Sequence, residues 1–175
     1  MVYKKQSHHS GFTIVELLVV IVVIGILAAI TIVSYTGIQA RSKDSRRVSD
    51  MKTIAKELEL YKVQNAVYPS SSNNGPGGWE SSSINPSQFL QALRTGNLVS
   101  SVPVDPINNS TSMEYRYYRY PAGDAGCDAS RGAFYVLGVI NMESSGGTAA
   151  SSPGWSCPGR NWQSEFEWVT GGFEN

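Results

Sequence analysis

The 175-residue sequence predicts an α+β chain. A long N-terminal helix, membrane-spanning in its first half, continues into a small head whose three- to four-stranded antiparallel sheet packs on that helix. Three observations predict this. Residues 12–33 are almost wholly apolar. Residues 39–65 hold neither proline nor glycine and repeat apolar residues at spacings of three and four. Three β-rich stretches follow, separated by segments rich in Gly, Ser and Asn.

The apolar run comes first. At about 1.5 Å per residue its span is about 33 Å, close to one hydrocarbon thickness. From Leu17 to Ile30 no side chain is polar. Gly25 lowers helix propensity and permits close helix packing. The exception to the pattern is Glu16. An ionised carboxylate in hydrocarbon costs several kcal/mol, so a compensating partner is expected. Three readings of the run remain: a secretory signal peptide, a simple anchor, and an anchor cut between Gly11 and Phe12. The run is longer than a signal-peptide core, and no small-x-small site closes it. Lys4 and Lys5 precede it and set the N-terminus inside by the positive-inside rule.

Next comes an amphipathic helical stretch. Val48, Met51, Ala55, Leu58 and Tyr61 fall on one face, with Ile54 thickening the stripe. Asp50, Lys52, Lys56, Glu57 and Glu59 line the other, where Lys52 and Lys56 repel mildly at i,i+4. One helix over 12–65 would be about 81 Å long. The alternative is a membrane helix and a separate soluble helix, broken near 34–37. The expected organisation is a leader at 1–11, a membrane helix at 12–35, a soluble helical half at 36–66 and a head at 67–175.

Within the head, residues 70–83 read as flexible turns. Residues 86–93 read as a short helix with Pro86 in its first turn, so that Phe89, Leu90 and Leu93 close one end of the core. Strands are expected at 113–120, 133–140 and 166–169, joined antiparallel. The core should draw on Val48, Met51, Leu58, Tyr117, Phe134, Val136 and Phe166. So small a head needs local fastenings. The two cysteines, Cys127 and Cys157, supply one if they pair outside the cell, a closure of about 3–4 kcal/mol by chain entropy. The alternative is two unpaired thiols. They lack the Cys-x-x-Cys spacing of a redox site. Pro103, Val104, Asp105 and Pro106 form a second rigid element, a turn.

Composition excludes several functions. The chain carries 14 basic and 14 acidic side chains, and without Lys4 and Lys5 the balance is slightly acidic, which gives no case for nucleic acid. Both histidines, His8 and His9, precede Gly11. The remainder therefore has no histidine for acid–base catalysis, a catalytic triad or zinc. No Walker-type loop is present. An Asp105 and Glu114 pair has no spacing that supports sugar hydrolysis, and the chain reads as a non-enzyme. The aromatics Tyr115, Tyr117, Tyr118, Tyr120, Trp155, Trp162 and Trp168 could face a glycan or nucleic acid, but a small head needs many of them inside. Asn108, Asn109, Ser110 and Thr111 contain formal glycosylation sequons that otherwise read as a polar turn.

MVYKKQSHHSG followed by FTIVELLVVIVVIGILAAI resembles the N-terminus of a type IV prepilin or a type II secretion pseudopilin. The resemblance implies that a membrane-embedded prepilin peptidase cuts after Gly11 and methylates Phe12. It implies that Glu16 pairs with the N-terminal amine of a neighbouring subunit as the chain self-associates into a helical homopolymer. An intramolecular pair is also open, because Phe12 and Glu16 lie four residues apart. Membrane lipid before assembly, an inner-membrane assembly platform and a separate assembly ATPase are the other implied partners. Cut chains would leave the cell membrane for an extracellular filament. One departure is Val33, where the family often has proline; a straighter helix is expected.

The Pro-Val-Asp-Pro turn followed by Tyr115-x-Tyr117 resembles the major pseudopilins, whose Asp-Pro segment lies near a calcium site. Here Ile107 and Asn108 replace the usual tryptophan and glycine. Asp105, Asn108, Asp124 and Asp128 are the candidate calcium ligands, against a metal-free turn; no EF-hand spacing is present. The cysteine-bounded region resembles that of pilins. The implied function is a structural subunit of a type IV pilus-like filament. The alternatives are a major pseudopilin of a type II secretion-like machine and a membrane-anchored surface binding module.

Overall fold

The computed structural model describes residues 12–109 and 112–175. The leader 1–11, with its cleavage residue Gly11, and the sequon residues Ser110 and Thr111 lie outside the described residues. The chain forms two compact units, the first ending at Gln39 and the second comprising Ala40–Asn175. Helix α1, Ile14–Asn65, is unbroken. Its backbone stays helical at position 33, where no proline removes a donor, and through Gly25 and Gly37. A break near 34–37 is therefore not seen. The helix ends at Ala66, which takes a positive φ of 64° and donates its N–H to the Lys62 carbonyl at 2.7 Å.

The second unit carries a four-stranded antiparallel sheet, ordered β1-β2-β3-β6. Its strands are β1, Glu80–Ser81; β2, Tyr115–Tyr120; β3, Phe134–Val139; and β6, Trp168–Phe173. A short helix α2, Gln91–Thr95, precedes β2. A two-stranded ladder of β4, Ser156–Cys157, and β5, Arg160–Asn161, precedes β6.

All of β3 is buried, because both faces of the sheet are covered. On one face Tyr115, Tyr117, Tyr135, Leu137, Val139 and Trp168 pack against Met51, Ile54 and Leu58 of α1, with Phe89, Leu90 and Leu93 alongside. On the other face Phe134, Val136, Val169 and Phe166 pack with Trp79, Tyr120 and Trp162. The alternation of each strand thus feeds two cores. Of the residues expected in one core, Met51, Leu58 and Tyr117 lie in the first and Phe134, Val136 and Phe166 in the second, while Val48 is only partly buried at the edge of the first. The polar ends of three buried aromatics are satisfied. Tyr115 donates to Asp50 at 2.9 Å, Tyr117 to the Pro69 carbonyl at 2.6 Å, and the Trp168 indole to the Ser151 carbonyl at 3.2 Å.

Three sequence expectations need correction. The stretch 70–83 is not merely loop: it supplies edge strand β1 and buries Trp79, Glu80, Ser81 and Ser82. Polar groups fix it, since the Asn74 side chain accepts from the Ser81 N–H at 3.0 Å and Gly75 donates to the Trp79 carbonyl at 2.7 Å. The last strand starts later than 166 and runs to Phe173, through Gly171 and Gly172. Glycine weakens a strand by propensity, but here a β-carbon at Gly171 would overlap the Trp155 ring. Gly138 in β3 plays the same part, lying under the Phe166 ring. The short helix also begins later than expected, at Gln91 rather than near Pro86.

Cys127 and Cys157 form a disulfide with Cα atoms 5.0 Å apart. It ties the β4-β5 ladder to the segment between β2 and β3. The Gly159 N–H adds a hydrogen bond to the Ala125 carbonyl at 2.8 Å. At the C-terminal end, Arg119 pairs with both oxygens of Glu174 at 2.8 and 3.0 Å.

A Gly138→Val substitution should push the Phe166 ring off β3 and cost about 1–3 kcal/mol by overpacking. Urea unfolding of the purified chain against wild type measures it.

Candidate functional site

The N-terminal unit presents its chemistry at the first helical turn. Thr13 stands just before α1, and Glu16 is the third residue inside it. The Thr13 N–H and hydroxyl both donate to Glu16 Oε2 at 2.8 Å, and the Glu16 N–H returns a hydrogen bond to Thr13 Oγ1 at 3.3 Å. This is a capping box, in which a hydroxyl residue and a glutamate three positions later satisfy each other's backbone donors. The Thr-x-x-Glu spacing was readable in the sequence, and reasoning from the cost of the charge alone missed it. Among the described residues Glu16 Oε1 has no hydrogen-bond partner, so one carboxylate oxygen stands open to a cation. Phe12, the expected new terminus, is exposed beside it.

Beyond the cap, the large apolar residues of α1 from Ile14 to Ile38 are exposed apart from Val33, whose side chain is not described. This helix is long and apolar enough to cross a membrane by length and composition. Such a surface is unstable in water and needs lipid or other protein against it.

A second polar cluster lies where α1 enters the Ala40–Asn175 unit. Arg47 is completely buried. Its guanidinium meets Asp105 at 2.6 and 3.1 Å, Asp44 at 2.7 Å and Glu143 at 3.1 Å. Lys43 also reaches Glu143 at 3.2 Å. Burial works against the charge on Arg47, yet the carboxylates around it hold its pKa above the usual value. For Asp44, burial alone would raise the pKa. The Ser144 hydroxyl, the Glu143 and Ser144 amides and Arg47 outweigh it, and the carboxyl lies below its ordinary range. At neighbouring Asp50, burial prevails over the Tyr115 hydrogen bond and raises the pKa.

The four candidate calcium ligands lie on three turns, with Asp105 and Asn108 sharing one. Asp105 Oδ1 also accepts the N–H groups of Ile107 and Asn108 at 2.8 and 3.2 Å, so its oxygens are committed to Arg47 and to its own turn. The Asn108 side chain accepts from the Ser82 hydroxyl at 2.7 Å and donates to the Ser82 carbonyl at 3.0 Å. Asp124 begins a short 3-10 turn, and Asp128 caps the next by accepting from the Ser130 N–H at 2.9 Å. Among the described residues no three His, Cys, Asp or Glu side chains group to hold a metal ion. Beside Asp105 the cationic partner is the Arg47 guanidinium. Asp105 stands out in the sequence and Arg47 does not, since nothing local links positions 58 residues apart.

Comparison with known proteins bears on the N-terminal unit first. The Prokaryotic N-terminal methylation motif matches residues 6–32. Type II secretion system core protein G of Vibrio cholerae is 29% identical over 153 residues, covering 87% of this chain and 96% of that protein. The protein of the same name from Pseudomonas aeruginosa is 30% identical over 153 residues, covering 86% of this chain and 98% of its own length. The chain belongs to the type II secretion system core protein G family. It thus carries a pseudopilin-type N-terminus on a pilin-like α+β fold, as the resemblance implied. No solved structure matches the chain.

In this core protein G relative, Arg47→Met should destabilise the head by about 3–5 kcal/mol, because it strands a buried carboxylate; a shift of the urea midpoint measures this. The depressed Asp44 pKa gives a second outcome. The unfolded chain takes up the Asp44 proton first as pH falls, so this stabilisation is full well above the ordinary aspartate value of about 4 and is lost as pH drops through the folded value. The stability gap between wild type and Asp44→Asn should therefore narrow as pH falls below about 5. Using the difference cancels the opposite contribution of Asp50.

Proposed function

We propose that this chain is the pilin-like building subunit of a type II secretion fibre, cut after Gly11 and stored in the membrane by α1 until neighbouring subunits bury its apolar surface. The observation that carries the reading is the exposed apolar surface of α1, opened by a carboxylate with one uncommitted oxygen. Cleavage would create an α-amine at Phe12. That amine and Glu16 are each costly in hydrocarbon and offset one another when paired. Because Glu16 Oε2 already serves its own helix end, Oε1 is the oxygen available to the amine of a neighbouring subunit. A prepilin peptidase, an inner-membrane assembly platform and an assembly ATPase are the partners this role requires. The role is structural, and nothing in it calls for a catalytic residue.

A second reading, a subunit of a longer type IV pilus-like surface filament, is favoured by one feature, the disulfide that closes the region from Cys127 to Cys157. Long surface filaments in the native host would select it, and a short periplasmic fibre would select the first.

N-terminal sequencing of the chain from its host should begin at Phe12. Glu16→Val should remain in the membrane fraction and lose most of its fibre yield; normal yield would remove Glu16 from assembly.

A further inference from the structure

Within the Ala40–Asn175 unit, the outer face of α1 is not used by the fold. Lys52 and Lys56 stand on it one helical turn apart, turned away from the stripe of Met51, Ile54 and Leu58. Both are exposed, and neither pairs with an acid among the described residues. Glu59, three residues beyond Lys56, is taken by Lys62 at 3.0 Å and by the Tyr68 hydroxyl at 2.6 Å. Like charges at this spacing repel mildly, so the helix by itself gains nothing from the two lysines. Leu60 and Val63 continue the same face toward the C-terminal end of α1 and are exposed as well.

The opposite charge is gathered on the segment 121–131, between β2 and β3. Asp124 and Asp128 are exposed there, and neither forms an ion pair among the described residues. Asp128 spends one oxygen on the Ser130 N–H and hydroxyl. Arg131, the one cation of the segment, lies over the Phe173 ring at 3.9 Å. Arg160, whose charge Asp124 feels, is paired with Glu165 at 2.6 Å. Pro121, Ala122 and Ala129 are exposed beside the carboxylates, and all three are small and apolar. The segment is braced, because Cys127 is bonded to Cys157 and the Ala125 carbonyl accepts from the Gly159 N–H at 2.8 Å. Two carboxylates on a fixed turn with small apolar neighbours complement two lysines followed by Leu60 and Val63.

We infer that the Asp124–Asp128 turn of one subunit docks on the Lys52–Lys56 face of α1 in a second copy of this chain. The inference rests on the fibre subunit proposed above and adds a contact between heads. The two surfaces differ, so the contact is heterologous: each copy offers its turn to one neighbour and its helix face to another. Their levels along α1 differ too. Arg131 lies over Phe173, whose carbonyl accepts from Lys62, so the turn belongs to the C-terminal end of α1. Lys52 and Lys56 lie about two to three helical turns earlier. A turn therefore meets the lysines of a copy displaced along the helix direction, and repetition of that step builds an open array rather than a closed ring.

The full-length chain can be expressed in its host in place of the native copy, and the sheared fibres quantified. Lys52→Glu with Lys56→Glu, and separately Asp124→Lys with Asp128→Lys, should each lower fibre yield about tenfold, the scale of two exposed pairs turned into repulsions. All four substitutions together should return the yield to within about twofold of wild type, because the pairs re-form with their signs exchanged. Asp124→Lys alone, which leaves the Asp128 cap in place, should lower the yield by a smaller factor. Unchanged near-ultraviolet circular dichroism certifies that each variant is folded. Wild-type yield in either double reversal overturns the contact. Failure of the fourfold variant to recover also overturns it, and assigns the lysine face to a different acidic partner. A wild-type chain that gives no fibre overturns the fibre reading and this contact with it, a result distinct from fibres that ignore the reversals.

Discussion

Arg47 is the constraint around which the head is arranged. A fully buried guanidinium is tolerated only when its charge and its donors are matched, and the matching groups come from three parts of the chain: Asp44 on α1, Asp105 on the turn before β2, and Glu143 just after β3. Each carboxylate brings a further anchor. Asp105 holds the amides of its own turn, and Asp44 holds the amides of the segment after β3. One side chain on the helix thereby fixes two loops that no strand pairing would fix. Because the geometry is convergent, none of the partners can be removed without leaving another unmatched.

The sheet faces a related demand. A head this small cannot leave one face in water and still bury its many aromatic rings. The chain covers the first face with α1 and α2, and returns after β3 to cover the second with Trp155, Trp162 and Phe166. Glycines at 138 and 171 are where those rings come down onto the strands. The disulfide secures this returning segment, which has only a two-stranded ladder of its own.

Legibility in the sequence followed the range of the signal. The helix, its stripe of Met51 and Leu58, and the strands containing Tyr117 and Val136 are encoded in periodicity, and they appear as read. The pairing of Cys127 with Cys157 was readable because there are no other cysteines. Strand β1 and the glycine-bearing end of β6 were not readable, because their residues are set by tertiary neighbours rather than by propensity. Arg47 was invisible for the same reason: a charged residue on a helix is ordinarily solvated, and only the fold brings Asp105 to it. At the assembly end, Gly11, Phe12 and Glu16 stand out in the sequence by pattern. The part played by Thr13 is equally local, but its signal lies in the backbone donors of the first turn rather than in charge.

The capping box has a mechanical consequence. Thr13 and Glu16 close the helix end through one carboxylate oxygen, and among the described residues the other has no hydrogen-bond partner. Under the proposed function, capture by a neighbouring subunit would then demand no unravelling of the first turn and no exchange of one bond for another. The helix end would arrive at the growing fibre already in its final shape, and recognition would add a contact to an intact cap. A chain whose docking group had to be released from its own backbone would face a barrier at every addition; this one presents its charge on a finished end.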